Sequence, residues 1–141
     1  MSMLTATHTV SLGHRLPSYD GVCSSPHGHN ARFSIDVWTE SFYDFKTLAN
    51  VLRDILADFD HAMILHADDP FLVYLAKQGF RYVAMNVEPT TEAMTQLVFN
   101  AAELFVNDLP DRRVSKVTMF ETDRYSASIG TSNSLVWRVT P

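Results

Sequence analysis

The chain is poor in cysteine, glycine and charge, and each shortage excludes something. One cysteine in 141 residues cannot form an intrachain disulfide, which removes the stapled scaffolds of small secreted proteins. Five glycines and six prolines leave no flexible linker or low-complexity tract, and no internal repeat is visible. Nowhere do apolar residues run for the ~18 positions that a membrane span needs. Residues Met1 to Val10 lack the basic segment and apolar run of a signal peptide, so a cytoplasmic protein without membrane association is expected. Basic residues are outnumbered, 11 against 16 acidic, for a net charge of −5. That balance argues against a broad nucleic-acid footprint. What is plentiful is apolar: 46% of residues are hydrophobic and 11% aromatic. This excludes disorder and suffices for the core of one domain spanning residues 1–141.

Hydrophobic periodicity divides the chain into blocks. Thr5 to Leu16 alternates, with Val10, Leu12, His14 and Leu16 on one parity, which predicts a strand. Turn formers fill Pro17 to Pro26. Alternation returns from His27 to Thr39, with His27, His29, Ala31, Phe33, Ile35 and Val37 on one face. The two strands should form an antiparallel pair. Asp44 can cap a helix to about Asp58, striped by Phe45, Leu48, Leu52, Ile55, Leu56 and Phe59. Asp60 to Asp68 reads as a turn. Asp69-Pro70 starts a second helix that Gly79 stops. Arg81 to Asn86 is extended. A third helix follows Pro89-Thr90-Thr91-Glu92, with Met94, Leu97, Val98, Ala101, Leu104 and Phe105 as its buried face. Val114 to Thr122 and Tyr125 to Val139 return to strand periodicity, with a turn at Thr131-Ser132-Asn133. Segregated blocks of this kind predict an α+β domain: an antiparallel sheet with helices on one face.

His27-Gly28-His29 is the sharpest chemical feature. Residues two apart on a strand point the same way, about 7 Å apart, so both imidazoles can converge on one ion. His14 lies near the end of the first strand, at the end of the sheet where the second begins. Three neutral imidazoles suit Zn²⁺ and leave a fourth position open, the catalytic pattern. The plain alternative is three ordinary histidines at a strand end. Cys23 could complete a closed structural site, serve as a reactive thiol of lowered pKa, or be a small buried residue. Asp60-His61 can be a carboxylate-oriented general base or a helix-terminal cap beside a surface histidine. Glu121 shares the parity of Val117 and Met119, and a carboxylate on an apolar face must be paired or solvated. It could accept two hydrogen bonds from an N–H/NH₂ edge such as a pterin or guanine offers. Thr90-Thr91-Glu92 has an obvious capping role.

In order, Gly13-His14-Arg15-Leu16, Cys23-Ser24-Ser25-Pro26-His27-Gly28-His29-Asn30, Asp44-Phe45, Asp60-His61, Pro89-Thr90-Thr91-Glu92 and Phe120-Glu121-Thr122 resemble the 6-pyruvoyl-tetrahydropterin synthase family. That family includes the 6-carboxytetrahydropterin synthases of queuosine biosynthesis. The resemblance covers roughly residues 8–130. It implies the tunnelling fold, in which subunit sheets join into a barrel. It also implies a homohexamer built as a dimer of trimers, with active sites between subunits. His14, His27 and His29 would bind catalytic zinc. Cys23, Asp60 and His61 would transfer protons, and Glu121, Thr90 and Thr91 would hold the pterin. The implied substrate is 7,8-dihydroneopterin triphosphate. The Cys-x₃-His-x-His spacing resembles the carboxy-forming branch, which also releases acetaldehyde; a pyruvoyl-forming enzyme, a non-catalytic pterin or purine binder and a structural zinc protein are the alternatives. The sequence departs from the family at Gly13, where alanine is usual, at Ala93, where asparagine is usual, and in the extended region His66 to Glu88.

Overall fold

A computed structural model of the protein describes residues 1–131. Its elements run β1 (Ser2–His14), a 3₁₀ turn (Val22–Ser24), β2 (His27–Thr39), α1 (Phe45–Leu56), β3 (Ala62–His66), α2 (Pro70–Gln78), β4 (Tyr82–Met85), α3 (Thr91–Val106), β5 (Arg112–Phe120) and β6 (Ser126–Gly130). Six strands form one sheet in the order β4-β3-β1-β2-β5-β6, curled into a half-barrel. The expected turn at residues 131–133 and the strand to Val139 extend outside the described residues.

β1 and β2 pair antiparallel along their whole length, from Ser2 opposite Thr39 to His14 opposite His27. Alternation then sorts the side chains. Val10, Leu12, Ala31, Phe33, Ile35 and Val37 are buried on one face. Ser11, Asn30 and Arg32 stand exposed on the other. The buried face meets Leu48, Leu52 and Leu56 of α1 and Met94, Val98, Ala102 and Val106 of α3. Each such aliphatic side chain contributes roughly 1.5–3 kcal/mol by leaving water.

The sheet is mixed. The antiparallel part, β1-β2-β5-β6, carries two short strands at its β1 edge. β3 runs parallel to β1, with Leu12 opposite Ala62 and His14 opposite Ile64, and β4 runs parallel to β3. The segment Asp60 to Asp68, expected as a turn, therefore contains a strand. Its run Ala62-Met63-Ile64-Leu65 does not alternate because it is covered on both sides. Ile64 joins the main core, whereas Leu65, equally buried, lies outside it, as does Leu75 of α2, a helix that contacts β3. The short helix α2 thus lies across the sheet from α1 and α3.

The buried face of α3 is also rotated from expectation. Met94, Thr95, Val98, Phe99, Ala102 and Val106 are buried, while Leu97, Leu104 and Phe105 are exposed. Thr95 can be buried because its hydroxyl donates to the Thr91 carbonyl at 2.6 Å, which satisfies its polar group. On α1, Phe45 is likewise exposed rather than part of the stripe.

Candidate metal and pterin site

The β1–β2 pairing brings three imidazoles to one end of the sheet. His14 faces His27 directly and His29 sits opposite Leu12. The ring centroids lie 4.5, 5.2 and 5.0 Å apart for the pairs 14–27, 14–29 and 27–29. One ligand atom from each histidine and one carboxylate oxygen of Glu121 all fall within 4.8 Å of one another. Gly28 between the ligands faces Gly13, and a side-chain carbon on Gly28 would stand 3.2 Å from the Leu12 carbonyl. The departure at Gly13 has a local explanation. A methyl there would meet the Met63 terminal carbon at 2.9 Å, so Met63 fills the space that alanine would use.

Two of the rings are fixed in orientation by the backbone. His14 Nδ1 lies 2.7 Å from the Pro89 carbonyl and His27 Nδ1 lies 2.7 Å from the Ser25 carbonyl. A carbonyl can only accept, so each Nδ1 carries the proton and each Nε2 keeps its lone pair. That is the tautomer a metal needs, locked by an outer partner. His14 Nε2 and His29 Nε2 are buried and have no hydrogen-bond partner. Glu121 Oε1 stands 3.2 Å from both. Burial, above all, holds the pKa of His14 below its ordinary 6.5, keeping the ring neutral. A buried nitrogen left unpaired is costly; a divalent cation satisfies both at once. The residues present therefore fit zinc, with His14, His27 and His29 as neutral ligands. Cys23 is not among the converging donors, so the closed three-histidine, one-cysteine site is not the arrangement found.

Glu121 follows β5 with the parity of Met119, and its backbone N–H donates to the Tyr125 carbonyl. Sequence reasoning places it in the site but not this near the imidazoles. Thr90 is the N-cap of α3, its hydroxyl accepting from Ala93 N–H at 3.1 Å. The Pro89 bond to His14 carries Thr90 and Thr91 to the edge of the site.

Asp60 and His61 are brought together but not onto the three histidines. The Asp60 carboxylate accepts from Ser11 N–H at 3.0 Å and lies 3.1 Å from His61 Nδ1. His61 N–H donates back to the Ser11 carbonyl at 2.6 Å. The pair thus grips β1 at one residue, which holds His61 at a φ of 57°, uncommon outside glycine. The Ser11 bond, foremost, draws the Asp60 pKa below the ordinary carboxylate range. His61 borders a depression that Ser11, Gly13, His27, Gly28 and Met63 also line. Neither Asp60 nor His61 is among the donors that converge with His14, His27, His29 and Glu121. Cys23 lies in the 3₁₀ turn of the loop between β1 and β2, half-buried, its carbonyl accepting from Leu16 N–H at 2.8 Å.

A half-barrel sheet backed by two long helices, with a His₃Glu cluster that could hold a metal ion at the β1–β2 end, defines a protein of the tunnelling-fold class. The profile of the family described as 6-pyruvoyl tetrahydropterin synthase matches residues 3–132, and the chain belongs to that family. It is 34% identical over 89 residues to a Halobacterium salinarum protein named probable 6-carboxy-5,6,7,8-tetrahydropterin synthase. That match covers 60% of this chain and only 59% of the relative. It is 25% identical over 114 residues to the 6-carboxy-5,6,7,8-tetrahydropterin synthase of Aquifex aeolicus, covering 71% of this chain and 70% of that protein. Among solved structures, an uncharacterized protein from Wolinella succinogenes superposes with a TM-score of 0.75 at 18% identity, covering 92% of this chain and 98% of that one. The Caenorhabditis elegans 6-pyruvoyl tetrahydropterin synthase superposes at 0.66 with 20% identity, covering 92% and 95%. At these identities the structural likeness establishes the fold.

Proposed function

We propose that the protein is a zinc-dependent 6-carboxy-5,6,7,8-tetrahydropterin synthase. It would be a lyase acting on 7,8-dihydroneopterin triphosphate, with loss of acetaldehyde and triphosphate, in the route to queuosine and related deazapurines. The observation that carries this reading is the pair of buried imidazole nitrogens on His14 and His29 that lack a hydrogen-bond partner, converging with His27 and Glu121. The names of the two curated relatives and the Cys23-to-His27 spacing support the carboxy-forming branch over the pyruvoyl-forming one.

His14, His27 and His29 would hold the zinc. The bound ion supplies Lewis acidity to the substrate's side-chain hydroxyls and stabilises negative charge developing on their oxygens. The rest falls to the chain. The Glu121 carboxylate accepts from the N–H/NH₂ edge of the pterin, which orients the ring and sets its side chain toward the histidines. Thr90 uses its oxygen as a helix cap and keeps its O–H for the substrate, with Thr91 beside it. The Cys23 thiolate takes protons from the substrate side chain and returns them. Asp60 fixes His61 through Nδ1, leaving Nε2 to accept or donate a proton.

Asp60 and His61 are not among the donors that converge at the chain's own metal cluster, and His61 lies beside Leu75 of α2. A neighbouring subunit would therefore supply this pair to each site, as a homohexamer of two trimers with interfacial active sites allows. Loading with zinc should give about one ion per chain. Cys23→Ala should keep that ion and lose turnover. Turnover undiminished in that variant would remove the thiol from the mechanism, and a zinc-loaded wild type that binds pterin without converting it would leave a binding protein.

A further inference from the structure

The excursion between β3 and α3 departs from the family pattern, and it holds the thiol-bearing loop by charged tethers. The first is Arg15, the residue after a metal ligand. Its guanidinium makes two hydrogen bonds to Asp69, at 2.8 and 2.6 Å. Asp69 is fully buried at its side chain and also caps α2 through Phe71 N–H. The second is Ser18, whose N–H donates to Glu88 Oε1 at 2.8 Å. Ser18 lies in the turn that Tyr19 N–H closes onto the Leu16 carbonyl, and Leu16 N–H in turn holds the Cys23 carbonyl.

Glu88 immediately precedes Pro89, whose carbonyl fixes His14. Two consecutive residues of one segment therefore grip the two parts that must stay in register: residue 88 the loop of the thiol, residue 89 the first metal ligand. We infer that Glu88 is a positioning residue, which holds the Cys23 loop at a set distance from the metal-binding histidines through Ser18. Asp69 braces the same loop at its root through Arg15. The Ser18 bonds lower the pKa of Glu88, so the tether is an ionised acceptor at neutral pH, where such bonds are strongest. The Glu88 backbone carbonyl also accepts from Thr90 N–H at 2.8 Å, a bond that substitution of the carboxylate leaves in place. The catalytic consequence rests on the reading of Cys23 as a proton-transfer thiol; the tether does not.

The chain's single cysteine makes the test site-specific. The rate of Cys23 alkylation by iodoacetamide is compared in wild type, Glu88→Ala and Glu88→Gln, alongside kcat, KM and zinc content. Glu88→Ala should speed alkylation by about fivefold or more as the loop opens more often. It should lower kcat by about 10–100-fold, with zinc content unchanged and KM within about twofold. Glu88→Gln keeps an acceptor for Ser18 N–H and should restore most of both. Alkylation indifferent to Glu88→Ala overturns the tether. Faster alkylation with an unchanged kcat overturns the positioning role. Should wild type show no turnover at all, the functional reading fails while alkylation still decides the tether.

Discussion

His14 meets opposed demands: it is buried, which disfavours charge, and its Nε2 has no hydrogen-bond partner, only the Glu121 carboxylate at 3.2 Å. Both are met when the ring is neutral and bound to a cation. The folded chain resists protonating His14, whose pKa lies below 6.5, whereas the unfolded chain takes up that proton freely below its ordinary value. The unfolded state then binds more protons, so stability of the metal-free protein falls as pH drops through about 6.5. Urea midpoints at pH 7.5 and 5.5 should differ in that direction. Metal affinity should weaken along the same axis, because three imidazoles must shed protons to bind. His27→Ala should lose both bound zinc and turnover, while the apo fold persists, as judged by metal analysis and circular dichroism. Asp60→Asn should act differently. Removing the charge that orients His61 should lower kcat by about 10²-fold or more and leave zinc content unchanged.

Among the elements, the β1–β2 pair was the most legible from sequence. Its alternation is strict, one face is buried, and a period of two pins the register, so His14, His27 and His29 could be brought to one end without coordinates. β3 was hidden because both its faces are covered, one by the main core and one by α2, which erases alternation. The face of α3 was misread because Thr95 looks polar while Leu97 and Leu104 look apolar. The Thr95 hydroxyl is satisfied within its own helix, whereas Leu97 and Leu104 line an open groove with Ile55 and Phe59. The separation of Asp60-His61 from the histidine cluster was illegible for a related reason. It depends on which face a turn between α1 and an unrecognised strand opens upon. α2 adds an energetic prediction. Asp69 both caps that helix and takes the Arg15 fork, so Asp69→Ala should leave a partly buried guanidinium unpaired. A loss of about 3 kcal/mol is expected, read as a lowered urea midpoint.

At the scale of the whole molecule, the sheet carries α1 and α3 on one face and, beside α2, a polar surface on the other. Thr5 bonds Asp36 and Ser11 bonds Asn30 across that surface. The proposed division of each site between neighbouring chains predicts complementation. His27→Ala chains and His61→Ala chains should each be inactive alone. Reassembled together from dissociated subunits at equal amounts, they should recover up to about a quarter of wild-type activity, the share of sites that draw an intact half from each neighbour under random mixing. A mixture as inactive as its parts would place both halves of the site in one chain. The most direct measurement is identification of the product. Zinc-loaded protein incubated with 7,8-dihydroneopterin triphosphate should yield 6-carboxytetrahydropterin together with acetaldehyde and triphosphate. A pyruvoyl product without acetaldehyde, or no conversion by fully loaded protein, would contradict the account.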